Sequence, residues 1–403
     1  MAKALRLGAV GSLLAVCLAV SLIVISIRTT LASSQDSLAS HRVLERYDVG
    51  AGSRDVSVKT LFQDRDGQVW AGTNFGCAVQ ALSDRPAGFT RVEFERVRRG
   101  VRAVAQSDDG SLWFVSSDTL GFRGNSITRF HDGRWEGVED SNNPLTGIAL
   151  GDGQPMFQGA EGRVWFADYV AKPVDGLPPL REGEQRLLFP SEDELVCYQN
   201  GKWSPRIHLS NLPPSRRNVS AIAGLEDTEG LIWLAGSLGV AQVNRVTMQA
   251  TVTEPLLGAV SPLSQRGPAT RETHPNCIYE DRRGGIWIGA SNGWVCRYDK
   301  AKGSWERRNL MEFAPEIVES EREFYRLLGG EDLDINAIYQ GRDGRVMFGT
   351  NRGLFVVNDL SEKPTVYTEA NSALPSRDVH CIMEDRDGKI WVGERYGIVV
   401  LEP

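Results

Sequence analysis

The sequence is short of the groups from which most catalytic and metal sites are built. Its 403 residues hold five histidines, His41, His131, His208, His274 and His380, scattered without a metal-ligand spacing. No Gly-x-Ser-x-Gly elbow, phosphate-binding loop or dinucleotide fingerprint occurs, so neither local catalytic motifs nor a nucleotide cofactor is implied. Positive charge is also in deficit: the net charge is −7, with no basic stripe, which removes the electrostatic case for nucleic acid. Cysteine is sparse, at six residues, and no pairing pattern is visible. The remaining composition, 41% hydrophobic and 24% charged, is that of an ordinary globular protein.

One long apolar run exists. Leu7 to Ile27 carries no charge, comes after Lys3 and Arg6, and is bounded by Arg28. At about 1.5 Å per residue it spans about 31 Å, the thickness of a bilayer core. The positive flank on its short side places that end in the cytoplasm and the rest of the chain outside. The run supports two readings. Residues 1–32 are an uncleaved membrane anchor, or a signal segment cut near Ala32 to Ser34. Both export the remainder, a polar tether over 33–41 and one domain over 42–403.

Glycine is plentiful, at 42 residues, and seven of these set a repeat. Three residues after Gly67, Gly110, Gly162, Gly230, Gly284, Gly344 and Gly388 stand Trp70, Trp113, Trp165, Trp233, Trp287, Met347 and Trp391. Asp64, Asp227, Asp281 and Asp385 lie three residues before their glycines. Asp-Gly between apolar runs predicts a β-hairpin, and two hairpins per repeat predict a four-stranded propeller blade. The fold class is therefore all-β, a propeller of seven blades. Eight is the alternative count, because the interval from Trp165 to Trp233 is the longest and 145–205 holds more than four strands' worth of pattern. The last repeat ends one strand short, while Val43 to Tyr47 is a lone strand at the start. Pairing the two closes the ring and covers an exposed edge. Pro315 to Leu328 departs from the β pattern and predicts a helical insertion over about 314–329, read as a cap or as a lid.

The tryptophans fall on second strands, where rings fill the space between blades. The Asp-x-Asp-Gly turns suit tight turns, and lack the further oxygens of a calcium loop. Cys277 and Cys381 share a repeat slot with Ala103, Ala221 and Ala337, which calls for a small buried group. Function is expected on the opposite face, where the loops vary. The first positions of the innermost strands are mostly polar: Lys59, Arg102, Ser220, Asn276, Asn336 and His380. Loops above them offer Phe75, Trp294, Arg352, Arg395 and Tyr396, with Asn74 and Asn351. Polar groups ringed by aromatics suit a polar small molecule or an oligosaccharide. The other reading is a solvated channel mouth.

The stretch Val379 to Gly393, with Asn276 to Gly289 and Asn336 to Thr350, resembles the two-component regulator propeller repeat. The resemblance implies a periplasmic ligand-sensing domain, often for glycans, without catalysis. With no kinase after Pro403, signalling is expected to pass through a separate protein. A protein-interaction scaffold at the cell envelope is the alternative. Streptogramin lyases are similar in having Asp-x-x-Gly-x-x-Trp blades, but they need a His-and-acid metal site, for which His380 is the one starting point.

Overall fold

The repeated turn owes its geometry to one carboxylate, seen plainly around Asp281. Its Oδ1 accepts the backbone N–H groups of Arg283 (2.9 Å) and Gly285 (2.8 Å), while Oδ2 accepts the indole N–H of Trp287 (2.8 Å). Gly284 closes the turn at φ +78°, in the left-handed region that favours glycine. Thus the aspartate fixes the turn and orients the tryptophan six residues on. Asp64, Asp227 and Asp385 hold Trp70, Trp233 and Trp391 in the same way, at 2.7, 2.8 and 2.8 Å.

The three departures are also explained. Blade 2 has Ser107, whose hydroxyl accepts from Trp113 at 2.9 Å. Blade 6 has Gly341, but its anchor is Met347, which has no N–H to satisfy. Blade 3 has Gly159, and Trp165 instead reaches Glu226 of the next blade at 2.6 Å. Glu226 is fully buried and also binds Arg163, whose Nη2 lies 2.7 Å from Oε1.

The computed structural model describes residues 37–38, 41–49, 56–80, 89–92, 94, 100–117, 125–138, 156–171, 191–205, 207–208, 221–236, 239–247, 249–253, 255–256, 273–314 and 333–402. Among them are seven antiparallel sheets. Blade 1 is Val58–Gln63, Val69–Thr73, Gly76–Gln80 and Phe89–Arg91. Blade 2 is Val101–Gln106, Leu112–Ser117, Asn125–His131 and Arg134–Gly137. Blade 3 is Met156–Gln158, Val164–Ala171, Ser191–Gln199 and Lys202–Trp203, with Ile207–His208 also on the third strand. Blade 4 is Ala221–Glu226, Leu231–Gly236, Gly239–Asn244 and Ala250–Thr253. Blade 5 is Pro275–Glu280, Ile286–Ala290, Trp294–Asp299 and Ser304–Asn309. Blade 6 is Ile335–Gln340, Val346–Thr350, Gly353–Val357 and Thr365–Tyr367. Blade 7 is Val379–Glu384, Ile390–Glu394, Gly397–Leu401 and, from the other end of the chain, His41–Tyr47.

The count is seven, and the enlarged blade is blade 3. Its middle strands are long, pairing from Val164 with Tyr198 to Ala171 with Ser191. Its outer edge is split between two short strands. The expected closure is present: Val43 pairs with Leu401 and Tyr47 with Ile398, and the Tyr47 ring stacks on Trp391 at 5.7 Å. Ser37–Leu38, within the segment read as a tether, adds an edge pair to His41 and Arg42.

Side chains between blades form the core. Trp113, Phe166, Val196 and Tyr198 pack across blades 2 and 3, and Trp391, Val58 and Ala71 across blades 7 and 1. Innermost strands neighbour one another around the axis, blade 7 to blade 1 included. The fit is close: a methyl on Gly289 would lie 2.5 Å from Ile335 and 2.7 Å from the Cys277 sulfur. This explains the small-residue slot of Cys277 and Cys381. In blade 4 the pairing puts Ala223 there, not Ala221. A second device links blades at the turn side. The residue after the turn's first position donates its backbone N–H to a Gln or Glu ending the next blade's inner strand. Arg65 to Gln106 (2.8 Å), Thr228 to Glu280 (2.8 Å), Arg282 to Gln340 (2.9 Å) and Arg386 to Gln63 (2.9 Å) obey this rule.

The five cysteines among the described residues are free thiols. Burial pushes the thiols of Cys197, Cys277, Cys296 and Cys381 up to about 12. Among the described residues no helix is long and apolar enough to cross a membrane. The anchor or signal over 1–32, Cys17 and the insertion expected over 315–328 lie outside the described residues.

Candidate functional site

The polar ring near the axis is produced by β-bulges. In blade 1 Val58 pairs with Thr73 and Thr60 with Gly72, which leaves Lys59 without a partner across the strand. The same irregularity isolates Arg102, Asn276, Asn336 and His380. A bulge re-aims the extra residue's side chain, and here it does so with a polar residue in blades 1, 2, 5, 6 and 7. In blade 4 the bulge falls at Ile222 rather than Ser220, so the polar ring is interrupted in sequence there.

Two positions earlier stands a second row that sequence reasoning missed: Ser57, His274, Asp334 and Asp378. In blades 1, 5 and 6 this row is locked to the loop above by a reciprocal pair. Asn74 accepts from the Ser57 backbone N–H (2.8 Å), Ser291 from His274 (2.9 Å) and Asn351 from Asp334 (3.0 Å). The backbone N–H groups of Asn74, Ser291 and Asn351 return bonds to the Ser57, His274 and Asp334 carbonyls. Asn74 and Asn351, expected as binding groups, are thus engaged in holding their loops.

Blade 7 abandons this lock. Arg395 stands where the others have Asn or Ser, and an arginine side chain cannot accept. Its backbone still donates to the Asp378 carbonyl at 3.1 Å, but the Asp378 N–H turns to the Ser376 hydroxyl at 3.1 Å. The residue before is changed as well. Thr73 and Thr350 donate their hydroxyls across the loop to Gly76 and Gly353. Blade 7 has Glu394, fully buried, accepting from the Ser376 N–H with one oxygen. Its Oε1 has no hydrogen-bond partner among the described residues. Burial pushes its carboxyl well above the usual range.

Below this loop the bulge residues of blades 7 and 1 meet. Lys59 Nζ lies 3.1 Å from His380 Nε2, and Asp378 Oδ2 lies 3.4 Å from the same nitrogen. Burial, then the Lys59 and Arg395 charges, push His380 down to about 3, so the imidazole is neutral and can accept from the ammonium. Burial pushes Asp378 up to about 6, against the pull of Lys59 and Arg395 and with the help of Asp334. Burial also lowers Lys59, an effect that Asp378 opposes and Arg102 and Arg395 add to. Phe75 and Tyr396 sit on the loops of blades 1 and 7 with 48% and 46% exposure, among few large apolar residues left so open. Arg395 lies over the Tyr396 ring at 5.5 Å.

The structure therefore gathers Lys59, Arg102, His380, Arg395 and, by blade, Phe75 and Tyr396 into one sector. Other expected residues lie elsewhere. Asn336 donates to the Val379 carbonyl at 3.0 Å, bridging blades 6 and 7. Trp294 and Asn276 belong to blade 5, two blades away, where Arg307 covers the Trp294 ring at 5.5 Å. Arg352, expected in an open loop, is 7% exposed. Among the described residues no three His, Cys, Asp or Glu side chains group to hold a metal ion.

These features define a seven-bladed β-propeller with a polar mouth at one sector of its loop face. The family model for the two component regulator propeller matches residues 52–75, 271–292 and 373–395, segments that fall at blades 1, 5 and 7. No curated protein sequence matches it. The fold is similar to the extracellular domain of a protein described as a hybrid two component system, BT4673 from B. thetaiotaomicron, with TM-score 0.57 and 15% identity. That match covers 89% of this chain and 39% of the other, so this chain spans well under half of that domain's length. Virginiamycin B lyase from Staphylococcus aureus is similar over 89% of this chain and 98% of the lyase, with TM-score 0.55 and 13% identity. YCF48 from Cyanidioschyzon merolae is similar over 89% and 99%, with TM-score 0.54 and 13% identity. At such identities the likeness is one of fold.

Proposed function

We propose that this chain is an exported sensor propeller. It binds a polar small molecule or oligosaccharide at the loop-side mouth of blades 7 and 1, without catalysis, and passes the signal to a separate protein. The apolar run at residues 7–27 attaches it to the membrane, with the propeller on the outer side. The observation that carries this reading is local. Blade 7 gives up the Asn or Ser lock of blades 1, 5 and 6 and the threonine bridge of blades 1 and 6, and substitutes Arg395 and a buried Glu394. A departure from a local stabilising pattern that puts a buried carboxylate in its place is a mark of a functional site. Exposed Phe75 and Tyr396 supply apolar surface beside polar groups, the usual make-up of a ligand site. The regulator-type repeats and the likeness to an extracellular two component domain agree with a sensing role.

Catalysis is the weaker reading. Asp378 beside His380 supplies an acid, but the other neighbour of the imidazole is the Lys59 ammonium. That cation opposes a metal ion, and an imidazole held near 3 is a poor general base at neutral pH. The test is a glycan and metabolite binding screen, repeated on a Phe75→Ala, Tyr396→Ala variant. Saturable binding that the variant loses is expected. Hits that bind the variant equally well would move the site elsewhere on the propeller.

A further inference from the structure

Lys59 and Asp378 converge on one ring nitrogen of His380. Lys59 Nζ is 3.1 Å from Nε2, and Asp378 Oδ2 is 3.4 Å from it. The other ring nitrogen, Nδ1, lies 3.5 Å from Nζ, long for a hydrogen bond. Among the described residues Lys59 has no other hydrogen bond, and no carboxylate pairs with it. A neutral imidazole carries one N–H and one bare nitrogen. If Nε2 is bare, it accepts from the ammonium and has nothing to give an ionised Asp378. If Nε2 carries the hydrogen, it serves Asp378 and turns that hydrogen toward Lys59, which then fits best as the free amine. The short contact therefore does not hold the proton on Lys59 as a carboxylate partner would. Burial of the half-buried amine acts in the same sense, against the pull of Asp378. Burial also pushes Asp378 up to about 6, where a carboxyl gives and retakes a proton near neutrality. The cluster is open to solvent at Asp378, whose side chain is 27% exposed.

We propose that Lys59 is a covalent capture site for small aldehydes, its amine forming an imine at the carbonyl carbon while Asp378 handles the proton. The proposal rests on the reading of this mouth as the ligand site and adds how one class of ligand is held there. Lysine amines without a counter-charge are the usual partners of carbonyl groups. An aldehyde, less hindered than a ketone, suits an amine that is half-buried. The Nζ lone pair forms the C–N bond as the carbonyl π pair moves to oxygen. Asp378 gives that oxygen a proton and takes one from the nitrogen, which leaves a carbinolamine. Asp378 then protonates the hydroxyl, which departs as water while the nitrogen lone pair forms the C=N bond. The products are an iminium ion and the Asp378 carboxylate, close together. Hydrolysis along the reverse path frees the aldehyde unchanged, so the event is reversible binding and not turnover.

The experiment is reductive trapping on the full chain, with propanal and cyanoborohydride at pH 7, read at each lysine by mass spectrometry of peptides. Acetylation by a succinimidyl ester runs beside it, because it needs the free amine but no departing water. Lys59 should react with both reagents at least about tenfold faster than Lys202, although Lys202 is the more exposed. Asp378→Asn should slow propanal trapping at Lys59 by about tenfold or more, and leave acetylation at least as fast. Reaction of Lys59 no faster than that of Lys202 with either reagent marks a merely buried lysine and overturns the capture site. Trapping at the same rate in Asp378→Asn and the native chain overturns the part given to Asp378, and with it the proposal as stated. If Asp378→Asn fails to fold, the rates of Lys59 against Lys202 in the native chain decide. Each of these failures leaves the loop-face sensor standing, since the ligands of the wider screen need no amine chemistry to bind.

Discussion

The borrowed acid of blade 3 makes a prediction that no local feature of the repeat would make. Glu226 is fully buried; it holds Arg163 Nη2 at 2.7 Å and the Trp165 indole at 2.6 Å. Replacing it by alanine leaves a buried guanidinium with only Glu161, which is 76% exposed, as its anion among the described residues. Breaking a buried pair in this way costs about 3–5 kcal/mol, and the orphaned indole N–H adds about 1–3 kcal/mol. Gly159→Asp alone restores the repeat's usual aspartate, but in the presence of Glu226 it cannot fit. A Cβ there would lie 2.3 Å from Glu226 Oε2 and 2.8 Å from the indole. Overpacking and like charge should cost at least about 2 kcal/mol. Together the substitutions should rescue each other, because the introduced carboxylate would take the role that Asp281 plays for Trp287. The double variant is expected to be more stable than the sum of the two losses by about 2–3 kcal/mol. Urea unfolding monitored by tryptophan fluorescence, on both single variants and the double, measures this coupling. Losses that add to within about 0.5 kcal/mol would refute the shared role of Glu226 and the turn aspartate.

The mouth predicts opposite pH slopes for two neighbours. Asp378, raised in the fold to about 6, contributes stability below the ordinary carboxyl range that is lost as pH rises through 6. Compared with Asp378→Asn, the native chain should lose about 2–3 kcal/mol between pH 4 and 7. His380, lowered to about 3, contributes stability above its ordinary pKa that is lost as pH falls toward 3. Compared with His380→Gln, the native chain should lose about 2–3 kcal/mol between pH 7 and 4.5. Parallel stability curves for either variant and the native chain would show that its group does not titrate as described. The thiols of Cys77, Cys197 and Cys296, which are buried, and of Cys277 and Cys381, which are half-buried, are all pushed up and should resist iodoacetamide at pH 8 until the protein is unfolded, as mass spectrometry of peptides would report. Tyr47→Pro, which breaks the pairing with Ile398 and the stack on Trp391, should lower stability by at least about 3 kcal/mol. A loss below about 1 kcal/mol would mean that the closing strand adds little to the ring.

Much of the fold was legible because its rules are local. A left-handed glycine, an aspartate three residues before it and a tryptophan three after it are one hydrogen-bonded unit, so the residues recur together. The missing last strand and the lone strand at Val43 could be matched because both were out of step with the repeat. Contacts that cross between blades stayed hidden. Glu226 serves Trp165 from 61 residues away, and the glutamines that receive neighbouring turns carry no local sign of that role. The bulges shifted the reading of blade 4, where Ile222 and Ala223 take the slots assigned to Ser220 and Ala221. At the mouth, the sequence marked Lys59 and His380 by their position but not Asp378, two residues earlier. The signal that could have found it is comparative: Ser57, His274, Asp334 and Asp378 share a slot, and in blade 7 the residue expected to lock it is Arg395.

The central functional claim is that ligand is received at the loop face of blades 7 and 1. Hydrogen–deuterium exchange of the full chain, with and without a ligand found by the screen, addresses it directly. New protection should appear at Val379 to Cys381, around Thr73 to Gly76 and around Glu394 to Gly397, with none at the turns Asp64 to Gly67 and Asp385 to Gly388. Protection confined to those turns, or to the outer strands of blades 3 to 5, would contradict the account.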